Sequence, residues 1–306
     1  MKRRSIRVSK EQAGERLGAL LAGALGLSRS DAERLVAGGA AYVEGRRCRR
    51  PAQALSAGQT VTVVLEEAGR SALAAPPTAL PLAVLFEDEQ LIAVDKPAGV
   101  SAQPTPAHAG GSLADQVSSA LGWPAGLVHR LDRQTSGVCV FGKTKAATSA
   151  LAAEFRAHRA KKRYLAATGP GLPPRGTVEL PLSPDPSRPG RWRASKHANG
   201  VSARTDYQRL YEGEGFCLVA LEPRTGRTHQ LRAHLAALGA PILGDTLYGG
   251  ASGAGGLGAP RCLLHAQALS IRHPETGAWV YLEAPLPADL AAFFKRAGVS
   301  VPCGAA

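Results

Sequence analysis

Between Val128 and Phe141 the run of apolar residues is broken by one long polar stretch, His129-Arg130-Leu131-Asp132-Arg133-Gln134-Thr135-Ser136-Gly137. Val128 and Leu131 precede its charged centre, and Val138, Val140 and Phe141 follow. That pattern reads as strand, tight polar connection, strand. The connection sets one carboxylate between two guanidinium-bearing residues. An acid held there faces a cleft on a rigid scaffold, where catalytic groups concentrate. A structural salt bridge capping the turn explains the same residues equally well, so the rest of the chain must separate the two.

Short runs of β-branched or aromatic residues recur at 91–94, 137–141, 164–168, 216–221 and 279–283. Residues 144–158, with Ala147, Leu151 and Phe155 on one face, predict an amphipathic helix, and 229–238 a second. Strands dominate and do not alternate regularly with helices, so the class is α+β.

Residues 1–64 hold 12 Lys and Arg against 5 Asp and Glu, so 12 − 5 = +7 of the chain's +13 lies there. Leu17, Leu20, Leu21, Ala24 and Leu25 fall at helical spacing. Ser28 or Ser30 can cap a second helix carrying Ala32, Leu35 and Val36. A strand and turn over 41–46 and a strand over 59–65 complete a separate basic module, residues 1–65. The Ala- and Pro-rich stretch 66–81 reads as a linker. Residues 82–298 form the second domain, and 299–306 a disordered tail. Six glycines within 249–260 predict a mobile loop.

The charge, with a pI near 10.0, points to a polyanionic partner. No apolar run nears the roughly 20 residues that span a bilayer. The apolar stretch 17–27 follows Glu11 and Glu15 and lacks a cleavage pattern, which favours a helix over a signal peptide. Five scattered cysteines (48, 139, 217, 262 and 303) without a C-x-x-C pair argue for a reducing cytoplasm and against a disulfide framework or zinc site.

The nonapeptide at 129–137, together with Arg224-Thr225-Gly226-Arg227-Thr228-His229-Gln230-Leu231-Arg232, resembles the RluA/RluC/RluD-type RNA pseudouridine synthases. Further similar segments are Asp95-Lys96-Pro97-Ala98-Gly99, Lys161-Lys162-Arg163-Tyr164-Leu165-Ala166, Ile242-Leu243-Gly244-Asp245 with Leu247-Tyr248-Gly249, Leu264-His265-Ala266 and His273-Pro274. The resemblance spans about residues 82–290. It implies a mixed, mostly antiparallel sheet with a central cleft. The N-terminal module resembles the small alpha-L type RNA-binding α/β domain shared with a ribosomal small-subunit protein. Arg16-Leu17, Ser28-Arg29-Ser30, Gly39, Val43 with Gly45, and Gly58 carry that likeness, while Gly18, Glu44 and Gln59 depart from it. Arg16, Arg29, Arg46 and Arg47 are its candidate RNA contacts.

Converting uridine to pseudouridine breaks the N1–C1′ bond, turns the base, joins C5 to C1′ and removes the C5 proton. Atoms are only rearranged, so the resemblance implies no redox cofactor, nucleotide or metal. The protein has to extrude the base, supply a carboxylate, accept a proton and exclude water. The resemblance assigns the carboxylate to Asp132, as nucleophile or as base towards the ribose 2′ position. Burial alone raises a carboxyl pKa and a guanidinium opposes that shift; Arg227 is the expected partner. The resemblance makes Tyr164 the aromatic that stacks on the base and accepts the C5 proton, and Arg130 the residue that fills the gap left by the flipped base. Lys161, Lys162 and Arg163 form an expected basic ridge beside Tyr164, and Leu231 is expected to line the uracil pocket, although core packing explains it equally well. The expected partner is RNA, most of all large-subunit ribosomal RNA, with transfer RNA open, and the expected state is a monomer away from membranes.

Three other readings fit parts of the chain. His129, Asp132 and Ser136 have the residue types of a hydrolase triad but lie within eight residues, and Ser136 lacks the G-x-S-x-G elbow. His229 and His234, five apart, diverge by about 140° on a helix, against the spacing of four used by zinc helices. A non-catalytic RNA-binding or assembly factor is the remaining alternative. The co-occurrence of Asp132, Tyr164 and Arg227 argues against it, because phosphate binding does not call for a carboxylate.

Overall fold

The computed structural model describes residues 2–37, 39–65, 82–104, 111–195, 200–213 and 215–301. The expected linker, residues 66–81, therefore lies outside the described residues, as does the end of the tail. The chain divides into two compact units, residues 1–82 with 101–124 and residues 83–100 with 125–306.

In the first unit, β1 (Lys2–Arg7), α1 (Leu17–Leu25), α2 (Arg29–Ala37), β2 (Ala41–Val43), β3 (Arg46–Cys48) and β4 (Thr60–Leu65) build a four-stranded antiparallel sheet in the order β1-β4-β2-β3. Leu17, Leu20 and Leu21 of α1 are buried with Ala32 and Val36 of α2 and Val61 and Val63 of β4. Ser28, not Ser30, caps α2: its Oγ accepts the Asp31 amide at 3.1 Å and donates to the Asp31 carboxylate at 2.6 Å. Strand β1 was not expected, because its Lys-Arg-Arg-Ser-Ile-Arg sequence lacks apolar alternation; β4 imposes it by pairing along its whole length. The segment 101–124 belongs to this unit and ends in α3 (Leu113–Leu121), which is closed by a Ser112–Asp115 capping box.

The second unit starts with β5 (Val84–Glu87) and β6 (Leu91–Lys96), and continues through β7 (Gly126–Leu127), β8 (Ser136–Gly142), α4 (Lys145–Arg156) and β9 (Lys161–Thr168). Then come β10 (Arg175–Val178), β11 (Leu182–Pro184), β12 (Trp192–Ala194), β13 (Thr205–Gly213), β14 (Phe216–Pro223) and α5 (Gln230–Ala237). Strands β15 (Gly253–Ala254), β16 (Leu257–Gly258), β17 (Leu264–Arg272) and β18 (Trp279–Glu283) precede α6 (Ala288–Arg296). Ten strands form one sheet, β10-β13-β14-β9-β17-β8-β6-β5, with β18 added to β17 and β7 to β8. Every pairing is antiparallel except β17 with β8. The fold is thus α+β with a mixed, mostly antiparallel sheet, as the strand-rich pattern requires. Strand β8, buried at all seven positions, is the floor on which the Asp132 connection rests.

Two further features differ from expectation. The Gly-rich stretch folds into the β15–β16 hairpin, because Gly255 and Gly256, with φ of 55° and 72°, make the two-residue turn that such a hairpin needs. Val299, expected in a disordered tail, is buried at 8% exposure against the core that holds Phe293 and Phe294.

Gly137 matters most to the site. Its φ is +116°, and a Cβ there would lie 2.1 Å from the Ala266 carbonyl oxygen, where β8 and β17 run parallel. Gly137→Ala is expected to lower stability by about 2–3 kcal/mol, read as a fall in the denaturant midpoint with the slope unchanged.

Candidate active site

Four segments of the second unit meet around a cavity of about 520 Å³: the 128–135 connection between β7 and β8, the end of α4 with His158, strand β9, and the turn at 223–229 that enters α5. The connection is fastened from below. Lys96, with no exposed surface, donates from Nζ to the carbonyls of Pro97 (2.8 Å), Val100 (2.7 Å) and Arg133 (3.2 Å). Burial is the chief reason that its amine is drawn down to about 8. The Gly99 amide also donates to Arg133 O at 2.8 Å, and Arg133 Nε returns a bond to Gly99 O at 2.9 Å. Leu131 is buried beside them at 6% exposure. The Asp132 carboxylate is thereby held facing the cavity.

Across from it, His229 has φ 54°, a left-handed conformation uncommon outside glycine. This residue ends the Arg224–Thr228 turn and starts α5. Gln230, at 4% exposure, locks the corner: its Oε1 accepts from Thr225 Oγ1 and the Arg227 amide, and its Nε2 donates to Arg204 O and Thr205 Oγ1. His229 and Arg232, three residues apart, then share one helical face. Arg232 Nη1 donates to Asp132 Oδ2 at 3.3 Å, and His229 Nε2 lies 3.8 Å from the same oxygen.

Arg232 is itself fixed. Its Nε and Nη2 donate to the two oxygens of Asp245 at 2.6 and 2.8 Å, and its guanidinium stands 4.9 Å from the Tyr248 ring centroid. Burial works against this cation, but the Asp245 hydrogen bonds and charge outweigh it and hold the guanidinium above its ordinary range. Tyr248 Oη accepts the Trp192 amide at 2.9 Å and bonds His229 Nδ1 at 3.1 Å. Burial keeps the His229 imidazole below the usual histidine range despite the nearby Asp132, so it is neutral at neutral pH. Burial likewise raises the Tyr248 phenol.

Arg227 is not the Asp132 partner that the sequence led one to expect. It lies in the turn before the helix and donates from Nε to Ser202 O at 3.1 Å, so it borders the cavity without reaching the carboxylate. Arg232, Asp245, His229 and Tyr248 were missed as a group, although all four lie inside the quoted strings. Tyr164, Arg130 and Leu231 do border the cavity. Leu231 also belongs to the core cluster. Burial first, and then Asp132, push the Tyr164 phenol far above its ordinary range.

The expected ridge of Lys161, Lys162 and Arg163 is split, because successive strand residues point to opposite faces. Lys162 shares the cavity with Tyr164 and donates from Nζ to Thr225 O at 2.9 Å; burial draws its amine down to about 8. Lys161 and Arg163 lie on the other face.

The rival sites do not assemble. His129 Nε2 accepts the Val140 amide at 3.0 Å and its ring stacks on Phe155, whereas Ser136, 2% exposed, faces His265 at 3.0 Å. His234 is buried between Thr205 Oγ1 and Leu180 O. Among the described residues no group of three His, Cys, Asp or Glu gathers to hold a metal.

A family model described as RNA pseudouridylate synthase matches residues 90–237. A relative from Xanthomonas campestris pv. campestris, named ribosomal large subunit pseudouridine synthase D, is 35% identical over 301 residues, covering 92% of this chain and 89% of the relative. The dual-specificity RNA pseudouridine synthase RluA of Escherichia coli (strain K12) is 40% identical over 219 residues, covering 69% of this chain and 95% of its own. Among solved structures, human RNA pseudouridylate synthase domain containing 4 superposes with a TM-score of 0.60 at 25% identity, over 72% of this chain and 94% of the other. The matched stretch runs from β6 through α5 and so takes in Asp132, Tyr164 and Arg232 together. The chain belongs to the RluA-type family of RNA pseudouridine synthases, which are isomerases.

Proposed function

We propose that this chain converts uridines of large-subunit ribosomal RNA to pseudouridine, with the target nucleotide flipped into the cavity against Asp132. The observation that carries the reading is a carboxylate held by a doubly anchored guanidinium, on the wall of a cavity that Tyr164 and Leu231 also line. Asp132 acts on the ribose or the base, as nucleophile or as 2′-proton acceptor. Tyr164 stacks on the uracil; an environment that disfavours its phenolate supports stacking over proton acceptance. Arg130, exposed at the cavity, takes the space vacated in the RNA. Arg227 and Lys162 face the phosphates and ribose.

The choice of ribosomal RNA is supported by reach. Similarity to the Xanthomonas relative named for the large subunit covers 92% of the chain, whereas similarity to the dual-specificity relative covers 69%. The first unit then contributes exposed Arg16, Arg29, Arg46 and Arg47 as an RNA-holding module. Such a substrate puts the protein in the cytoplasm. No helix among the described residues is long and apolar enough to cross a membrane.

The test is tritium release from 5-tritiated uridine in unmodified large-subunit ribosomal RNA and in bulk transfer RNA. Release from the former alone is expected. Release from transfer RNA alone moves the substrate class, and tight binding with no release from either leaves the non-catalytic binding factor.

A pH effect follows from Lys162. Bound phosphate favours the ammonium form, so the complex holds its proton more tightly than the free protein does. Affinity is then constant well below pH 8 and falls as pH rises through about 8, by at most about tenfold per unit. Filter binding between pH 7 and 8.8 should show this fall in the parent and a flatter profile in Lys162→Met.

A further inference from the structure

Strand alternation gives β9 two surfaces. Lys162 and Tyr164 face the cavity, while Lys161 and Arg163 face the reverse side of the sheet. Register carries that reverse face across β17 to β18: Lys161 opposes Ser270, which opposes Tyr281; Arg163 opposes Ala268, which opposes Glu283; and Arg272 opposes Trp279. Trp279 and Tyr281 are 46% and 48% exposed. The Arg272 guanidinium carbon lies 4.6 Å from the Trp279 ring centroid and Lys161 Nζ 5.2 Å from it. Glu283 shares this face and accepts a bond from Tyr281 Oη at 3.3 Å.

An aromatic pair that only protected β17 would be covered. Here nearly half of each side chain is open to water, and the cations beside the rings are placed for phosphates. Rings offer a stacking surface to any base, and fixed cations hold the backbone, which together is the chemistry of single-stranded nucleic-acid binding. A duplex presents no base faces to stack, and the two cations at the Trp279 ring, Lys161 and Arg272, disfavour a basic protein there. We propose that this reverse face is a stacking platform for unpaired nucleotides of the RNA substrate, remote from the isomerised uridine. The proposal rests on the RNA-substrate reading above.

The experiment uses the full chain and a fluorescein-labelled oligoadenylate carrying 8-azidoadenosine. The probe holds no uridine and so does not depend on turnover. On irradiation, adducts are expected in the peptide that contains Trp279 and Tyr281. The Trp279→Ala/Tyr281→Ala variant should lose about tenfold in affinity for the probe, while Trp279→Phe keeps most of it. With a long tritiated ribosomal RNA the double variant should raise KM with kcat held. Adducts confined to cavity peptides, with affinity unchanged in the double variant, overturn the proposal and leave the face to a protein partner. Adducts on β18 from a parent without turnover uphold the platform while the synthase reading fails. If the double variant does not fold, the adduct map of the parent and the affinity of Trp279→Phe decide.

Discussion

Asp132→Asn is expected to lower tritium release by at least about a thousandfold, while affinity for the same RNA holds or rises. Asparagine is nearly isosteric and keeps an oxygen for Arg232 Nη1, now 3.3 Å from Oδ2. Arg232 also retains its two bonds to Asp245, so the surrounding structure has no reason to rearrange. What disappears is the negative charge, and with it both candidate roles, nucleophile and 2′-proton acceptor. A cavity bordered by Arg130, Lys162 and Arg227 binds a polyanion better without a carboxylate on its wall. Filter binding beside the tritium assay separates the two effects. Turnover within tenfold of the parent would remove Asp132 from the chemistry. Loss of binding alongside turnover would make it a structural residue instead.

How much of this site can be read without coordinates depends on how local each contact is. The apolar flanks of 129–137 fix a strand–turn–strand segment, and the structure puts Asp132 in the connection between β7 and β8. The identity of its partner is not local. Three arginines, Arg224, Arg227 and Arg232, stand in one string. Which of them reaches Asp132 is set by the left-handed turn at His229, which starts α5 late enough to leave Arg227 outside it. Asp245 and Tyr248 complete the arrangement from a turn thirteen or more residues downstream, and only packing brings them under Arg232. The division of Lys161, Lys162 and Arg163 is a period-two consequence that becomes visible once β9 is known to begin at Lys161 rather than Tyr164. Strand β1 is invisible for the opposite reason, since its order comes from β4 and not from its own residues.

Arg232→Met should be the most damaging single change to the fold around the cavity. The side chain is 11% exposed and Asp245, its bidentate partner, 1%. Removing the cation strands a buried carboxylate, which costs about 3–5 kcal/mol, or a fall of roughly 6–20 °C in melting temperature for a unit of this size. The cation–π contact with Tyr248 is lost as well. Arg227→Met, by contrast, forfeits a bond to one backbone carbonyl and is expected to cost about 1 kcal/mol. The double variant Arg232→Met/Asp245→Leu separates scaffold from chemistry. Replacing a buried ion pair by apolar side chains is often neutral or better, so most of the lost stability should return. Turnover should not, because Asp132 then faces His229 alone, and that imidazole is held neutral by burial. A stable double variant with parental tritium release would show that Arg232 only supports the fold. An unstable Arg227→Met beside an undisturbed Arg232→Met would put the Asp132 partner back in the turn.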